Sequence, residues 1–406
     1  MIKRYSLPNG LGVILETDKQ SYSAAVSVWV KAGSVLESKA ENGLSHFMEH
    51  MAFKGTTTRD AKQLAKQMDA LGGQVNAATS RTSTVYYARV LPDELKPCIE
   101  LLSDIVLNPA LDNESFQKEK QVIAEEIAMV EDSPEESVFD LINKALYKGS
   151  LSETILGEKD ALLNYKRKAL VDFRDKYYVA NNALVVVAGN FDEEEIIKQI
   201  EGYFSSWKSG KEALYPKNAY LLEPKKLYVK KDTEQTHLCL GFKGVAEGDE
   251  RIYAVSLLST ILGGGLSSRL FQSIREEHAL AYQVYSSYTS YPYIGDFIVY
   301  AACKPENLHK VEAEIHKQIK NLKAKGITQE ELDYAKIQVK TALVIANESL
   351  MHRMHDLGEQ EMSLKKHVGL PEMLKKTDAL TKEDIQAAAE LLYMPCAKAI
   401  IGPTEE

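Results

Sequence analysis

His46, Glu49 and His50 lie close together in the stretch GLSHFMEHMAFKGT. On a helix these positions are related by i, i+3 and i+4, so the three side chains share one face. Two imidazoles one turn apart can hold a single Zn²⁺, and a carboxylate between them can reach water on that metal. With 9 histidines in 406 residues, an HxxEH match is expected by chance on the order of 0.02 times in such a chain. The competing reading is a pair of histidines decorating an amphipathic helix. A zinc site also needs a third protein ligand, from another element. The stretch KEKQVIAEEIAMVED offers Glu119, Glu125 and Glu126. Glu126 follows Glu119 by two turns on one face, and Glu125 is rotated aside by about 100°. Periodicity alone does not choose among them.

The elements that must position these groups read as α+β. The runs Ile2 to Leu7 and Leu11 to Thr17 flank Pro8, Asn9 and Gly10, the pattern of a hairpin. A strand over Tyr22 to Ala32 precedes a helix from about Gly43 to Phe53 that carries the histidines. Strand text returns at Gln74 to Leu91, split near Ser80 and Arg81, and Asp93 reads as the cap of a helix reaching Val106. The acidic stretch forms a long helix from Asn113 to about Met129, and helical text continues to about Tyr177. The apolar run ALVVVAG from Ala183 reads as a buried strand, followed by a helix capped by Asp192.

The order of elements then repeats. TVYYARVLPDELKPCIELLSDIV from Thr84 matches GDFIVYAACKPENLHKVEAEIHKQI from Gly295, with Pro305 offset from Pro92 by 213 residues. The expected architecture is therefore two similar half domains, each a mainly antiparallel sheet packed with helices. The first half spans 1–212 and bears the zinc, residues 213–225 form a linker, and the second half spans 226–406.

Composition narrows the function. At 406 residues, 45% hydrophobic and 26% charged, the chain is a folded globular protein of two or three domains. Its net charge of −9 gives no electrostatic basis for holding a phosphate backbone, so nucleic acid is not expected as a partner. Cys98, Cys239, Cys303 and Cys396 form no CxxC pair and read as packing residues in a reducing compartment. No stretch reaches 18 apolar residues and no signal segment opens the chain, so the expectation is a cytoplasmic protein that does not span a membrane.

The HxxEH helix, followed 76 residues later by the Glu of VIAEEI, resembles the pitrilysin and insulinase (M16) family of zinc peptidases, particularly its short bacterial processing-peptidase-like members. The likeness covers nearly the whole chain, through the LPNG hairpin, HFMEHMAFKGT, the GGQVNAATS segment and GGGLSSRLFQSIREEHALAY. It implies one Zn²⁺ per chain, with His46, His50 and Glu126 as ligands, Glu49 as general base and Glu119 as a carboxylate orienting a ligand. It also implies roles for Arg275 and Tyr282, which keep the family's seven-residue spacing in IREEHALAY. There a Tyr hydroxyl can donate to a developing oxyanion and an Arg fork can hold a substrate carbonyl or carboxylate. The bland alternative is a helix end with Arg275 paired to Glu276. Asn76 and Ala77 would belong to an edge strand that takes an extended substrate through its backbone.

Longer members of that family enclose a chamber with two such lengths of chain. The resemblance therefore implies a homodimer whose Arg275 and Tyr282 serve the partner's zinc site, acting as an endopeptidase on peptides or unfolded segments. The alternatives are a non-catalytic scaffold or partner subunit of the same fold, and a peptidase needing a paralogous chain. Three further features are read plainly. His352 and His355, with Glu359 nearby, are expected to be solvated on a charged helix. Gly263 to Gly265 suit a tight turn, and His237 a strand position facing away from the core.

Overall fold

The computed structural model describes residues 2–404, which divide into two compact units. Among the described residues the first comprises 2–127, 153–216 and 346–367, and the second 128–152, 217–345 and 368–404. The six-stranded sheet of the first unit has the order Ile2–Ser6, Gly12–Thr17, Ala183–Gly189, Ala24–Val30, Thr84–Val90, Gln74–Thr79. Every pairing is antiparallel except that of Gly12–Thr17 with Ala183–Gly189. The opening hairpin turns at Gly10, whose φ of +87° is a left-handed conformation natural to glycine. Ala183–Gly189 is wholly buried near the middle of the sheet, as its unbroken apolar run requires.

The second unit repeats the plan. Its five strands run Ala281–Ser290, Gly295–Cys303, Thr236–Gly244, Ala397–Gly402, Lys226–Lys230. Read from the other end, that is the order of the first sheet without its outermost hairpin strand. The single parallel pair, Lys226–Lys230 with Ala397–Gly402, falls at the equivalent place. Internal repetition in the sequence is thus repetition of a sheet.

Strand alternation sorts side chains to two faces in each unit. In the first, Ala24, Val26, Val28 and Val30 join the large core with Phe47, Met48, Met51 and Ile99. Ala25 and Trp29 point the other way and pack with Leu350, Met354 and Leu357. Those last three belong to the helix Leu350–Leu364, which lies about 140 positions beyond the expected end of the first half. The reverse holds for Pro134–Leu146, a helix from the first half of the sequence that packs in the second unit. There Phe139 stacks on Tyr300 at 5.5 Å.

The units therefore differ from the contiguous segments 1–212 and 226–406 by exchanging one helix each. An amphipathic pattern specifies that a helix must bury one face, not which sheet it covers. The segment read as a linker is also structured. Gly210 donates to Asn181 and Ala213 to Asn182 within the first unit, and Leu221–Leu222 pairs with Tyr147–Lys148 in the second.

Smaller differences follow from local sterics. Pro92 opens a 3-10 turn over Pro92–Glu94, so the next helix is Leu95–Leu107 and Asp93 does not cap it by its side chain. Asp192 does cap its helix, accepting from the Glu195 amide. Gly263 ends the Ile252–Gly263 helix where a Cβ would lie 2.4 Å from the Ser286 nitrogen. No helix among the described residues is long and apolar enough to cross a membrane.

Packing of the exchanged helix on Trp29 leaves no room at Gly358, where a Cβ would stand 2.3 Å from the indole Cε2 and Nε1. Gly358→Ala is expected to lower unfolding stability by about 1–3 kcal/mol through overpacking. Urea denaturation followed by tryptophan fluorescence reads the loss, and an unchanged midpoint would contradict this packing.

Candidate metal centre

The helix Leu44–Ala52 begins at Gly43, which has φ +92° and sits so close to Gly157 that a Cβ would lie 2.7 Å from the Leu156 carbonyl oxygen. Its unsatisfied N-terminal amides are met by Glu37, a side chain only 4% exposed. Glu37 Oε2 accepts from the Gly43 amide at 2.7 Å and Oε1 from the Ser45 amide at 2.6 Å. A carboxylate there also complements the positive end of the helix dipole. Below, Leu44, Phe47, Met48 and Met51 are buried. Phe47 stacks on Phe116 of the Asn113–Asp132 helix, with centroids 4.8 Å apart and planes at 13°. These contacts fix the two helices at the residues next to the chemistry.

On that footing His46, His50 and Glu126 converge, with one ligand atom of each within 4.8 Å of the others. Glu126 Oε2 lies 3.6 Å from His46 Nε2 and 3.4 Å from His50 Nε2. A tetrahedral zinc with bonds of about 2.0–2.1 Å has edges of about 3.3–3.4 Å, so the spacing suits the ion. The electrostatics suit it too. Burial, with the neighbouring His50, pushes the His46 imidazole down to about 3, leaving the ring neutral. A metal at His46 Nε2 would hold the ring proton on Nδ1, which is buried with no hydrogen-bond partner among the described residues.

Glu119 accepts from His50 Nδ1 at 3.2 Å and pairs with Lys54 Nζ at 2.8 Å. That hydrogen bond places the imidazole proton on Nδ1 and leaves Nε2 free to ligate. Helical phase separates the three candidate carboxylates. Phe116, Glu119 and Ile123 are buried, Glu126 stands at the edge of that face, and Glu125 is exposed.

Glu49 projects from the same helix and is half-buried. Burial raises its carboxyl above the ordinary carboxylate value, against the opposing pull of the Thr79 hydroxyl that donates to Oε2. Thr79 ends the Gln74–Thr79 strand, which pairs only with Thr84–Val90 and so forms the open edge of the sheet. Asn76 is exposed on that edge, and Ala77 is buried beneath it. Tyr86 and Tyr178 lie fully buried below, their hydroxyls 2.9 Å apart.

Arg275 and Tyr282 belong to the second unit. A π-helical turn, Phe271–Glu277, and a positive φ of +49° at Ala279 bring them together. The Arg275 guanidinium lies 4.7 Å from the centroids of both the Phe271 and Tyr282 rings, an arrangement favourable for a cation on aromatic faces. Its pairing with Glu276 is long, at 3.7 Å. Tyr282 is 73% exposed, with its hydroxyl available to solvent.

Other histidines behave differently from expectation. His352 is exposed, but His355 lies edge-on to Trp29 and Tyr87 because its helix covers a sheet face. His237 does point away from the main cluster of its unit, yet it is buried and pairs with the Tyr300 hydroxyl at 2.9 Å. Among the described residues, no group of metal-ligand type other than His46, His50 and Glu126 gathers closely enough to hold an ion. Glu37, Thr79 and Phe271 are absent from the sequence reading. Only tertiary structure brings Glu37 to a helix it precedes in the chain, and no spacing rule marks it.

Glu37 also generates a pH dependence. Burial pushes its carboxyl up to about 7, against the opposing pull of its donors. Between the ordinary value of 4.5 and about 7 the folded state keeps a proton that the unfolded state has released. The associated stability is complete below pH 4.5 and declines as pH rises to 7, by on the order of 3 kcal/mol in total. Glu37→Gln should remove that decline, so wild type loses stability relative to the variant across this window in denaturation titrations. A constant difference would contradict the assignment.

Comparison with known proteins gives the same family from independent stretches of chain. Residues 12–159 match the family described as Insulinase (Peptidase family M16), and residues 164–339 the one described as Peptidase M16 inactive domain. His46, His50 and Glu126 fall in the first match. In the second, the helix Ile252–Gly263, which follows the strand Thr236–Gly244, carries no His, Glu or Asp. A protein of Bacillus subtilis called an uncharacterized zinc protease is 40% identical, covering 100% of this chain and 99% of its own. Another of that description from Rickettsia bellii is 36% identical over 98% and 96%. A solved protease of Helicobacter pylori superposes with a TM-score of 0.91 at 26% identity, covering 99% of each chain. A solved Peptidase M16 inactive domain from Pseudomonas fluorescens shares the fold at TM-score 0.88 and 22% identity. With both halves matched, and relatives aligned over essentially their whole length, the chain belongs to the insulinase (M16) peptidase family.

Proposed function

We propose that the protein is a zinc-dependent endopeptidase that hydrolyses peptides or unfolded protein segments. The observation that carries this reading is the convergence of His46, His50 and Glu126, with Glu49 on the same helix as the two histidines. Relatives named zinc proteases support it. Bound zinc would supply a Lewis acid to polarise the scissile carbonyl and acidify water. Glu49, its carboxylate held by the Thr79 hydroxyl at Oε2, takes the proton of the attacking water and returns it to the leaving amine. Glu119 holds the His50 ring in orientation throughout.

An extended substrate pairs with the open edge at Asn76 and Ala77, where main-chain hydrogen bonds supply affinity without demanding a sequence. The closed chamber of the family, large enough for peptides but not for folded proteins, is carried over with that reading. Arg275 and Tyr282 complete the site from a second copy of the chain, the Tyr282 hydroxyl donating to the oxyanion and the Arg275 fork holding the substrate. A non-catalytic scaffold is the alternative reading. The complete set of candidate ligands and base argues against it, and the match to the M16 inactive domain covers residues 164–339, outside that set.

Purified protein incubated with a mixture of unstructured peptides should cut them, read by mass spectrometry. Glu49→Gln should retain its zinc and cut about 10²–10⁴-fold more slowly. Mixing Glu49→Gln with Tyr282→Phe should restore activity through heterodimers with one complete site. Zinc-loaded wild type that cuts nothing would overturn the peptidase reading. No recovery on mixing, despite demonstrated subunit exchange, would overturn the shared site.

A further inference from the structure

We propose that Thr79 is a positioning residue for the general base, coupling the strand that receives the substrate to the carboxylate that moves the proton. The proposal rests on the peptidase reading above and deepens it. Among the described residues, Thr79 is the one whose side chain hydrogen-bonds Glu49. Its backbone amide faces the same carboxylate. A carboxylate on a flexible side chain needs such a partner to present one oxygen consistently to a reacting water.

The proton of the Thr79 hydroxyl is committed by its surroundings. Thr84 Oγ1 lies 3.4 Å away and gives its own proton to the Ala32 carbonyl at 2.8 Å. The Glu49 carboxyl is therefore the acceptor left to Thr79, and the bond is charge-assisted when that group is ionised. Strand alternation aims the side chain correctly. Val75, Ala77 and Thr79 face inward, while Gln74, Asn76 and Ala78 are exposed. The Thr79 hydroxyl thereby holds Glu49 Oε2, which fixes the orientation in which the carboxylate meets a reacting water. A peptide pairing along Gln74–Thr79 would order the strand that carries this hydroxyl, so substrate register and base orientation share one element.

The test compares wild type, Thr79→Val, which keeps the shape and removes the hydroxyl, and Thr79→Ser, which keeps the hydroxyl. At equal zinc content, Thr79→Val should lose about 10–100-fold in kcat, the usual consequence of removing a hydrogen bond to a charged group, with KM within about twofold. Thr79→Ser should stay within about threefold of wild type. In a crystal structure of Thr79→Val the Glu49 carboxylate should leave the orientation described here, a readout independent of turnover. Wild-type kcat in Thr79→Val, an equal loss in Thr79→Ser, or a rise in KM alone would overturn the positioning role while leaving the peptidase reading intact. An unmoved Glu49 in the Thr79→Val structure would overturn it as well. Failure of wild type to cut any peptide would instead remove the reading on which both stand.

Discussion

Three ligand atoms can stay within 4.8 Å of one another only if the two helices bearing them have no freedom to slide or rotate. The Leu44–Ala52 helix is short, and its isolated stability would be marginal. Its position is imposed from outside: by the Glu37 carboxylate at its first amides, by Gly43 against Gly157, and by Phe47 stacked on Phe116. A buried carboxyl is a costly fixture, and Glu37 persists because it answers helix amides that would otherwise lie buried and unpaired. The neutral His46 imidazole follows from the same burial that makes the helix rigid.

Repetition of one sheet plan in two units separates fold from chemistry. Strand order and the place of the single parallel pair recur, whereas among the described residues the His and Glu set occurs once. In the second unit the equivalent stretch is the apolar helix Ile252–Gly263, followed by a π-helical turn that aims Arg275 onto two aromatic rings. Similar scaffolds thus carry a His and Glu cluster in one unit and an exposed Arg and Tyr pair in the other, which is the sense in which function resides in sites grafted onto a fold.

What could be read from the sequence was what local spacing encodes. His46, Glu49 and His50 declare themselves through i, i+3, i+4 geometry, and the strands through alternation or continuous burial. Glu126 needed more, because three glutamates shared one helix; the resemblance selected it, and the position of Phe116 and Ile123 explains the choice physically. Exchange of Pro134–Leu146 and Leu350–Leu364 was invisible, since their apolar faces fit either sheet by pattern alone. Glu37, Thr79 and the environment of His355 were invisible for the same reason: each role comes from a partner remote in the chain or on a different element, and residue type there carries no periodic signal.

X-ray absorption at the zinc edge of stoichiometrically loaded protein tests the metal centre most directly. Wild type should show a first shell of nitrogen and oxygen at about 2.0–2.1 Å with imidazole outer-shell scattering from two histidines. The shell should be lost or rearranged in His46→Ala and Glu126→Ala. A sulfur shell near about 2.3 Å, or spectra and affinity unchanged by those substitutions, would place the metal elsewhere and contradict the site.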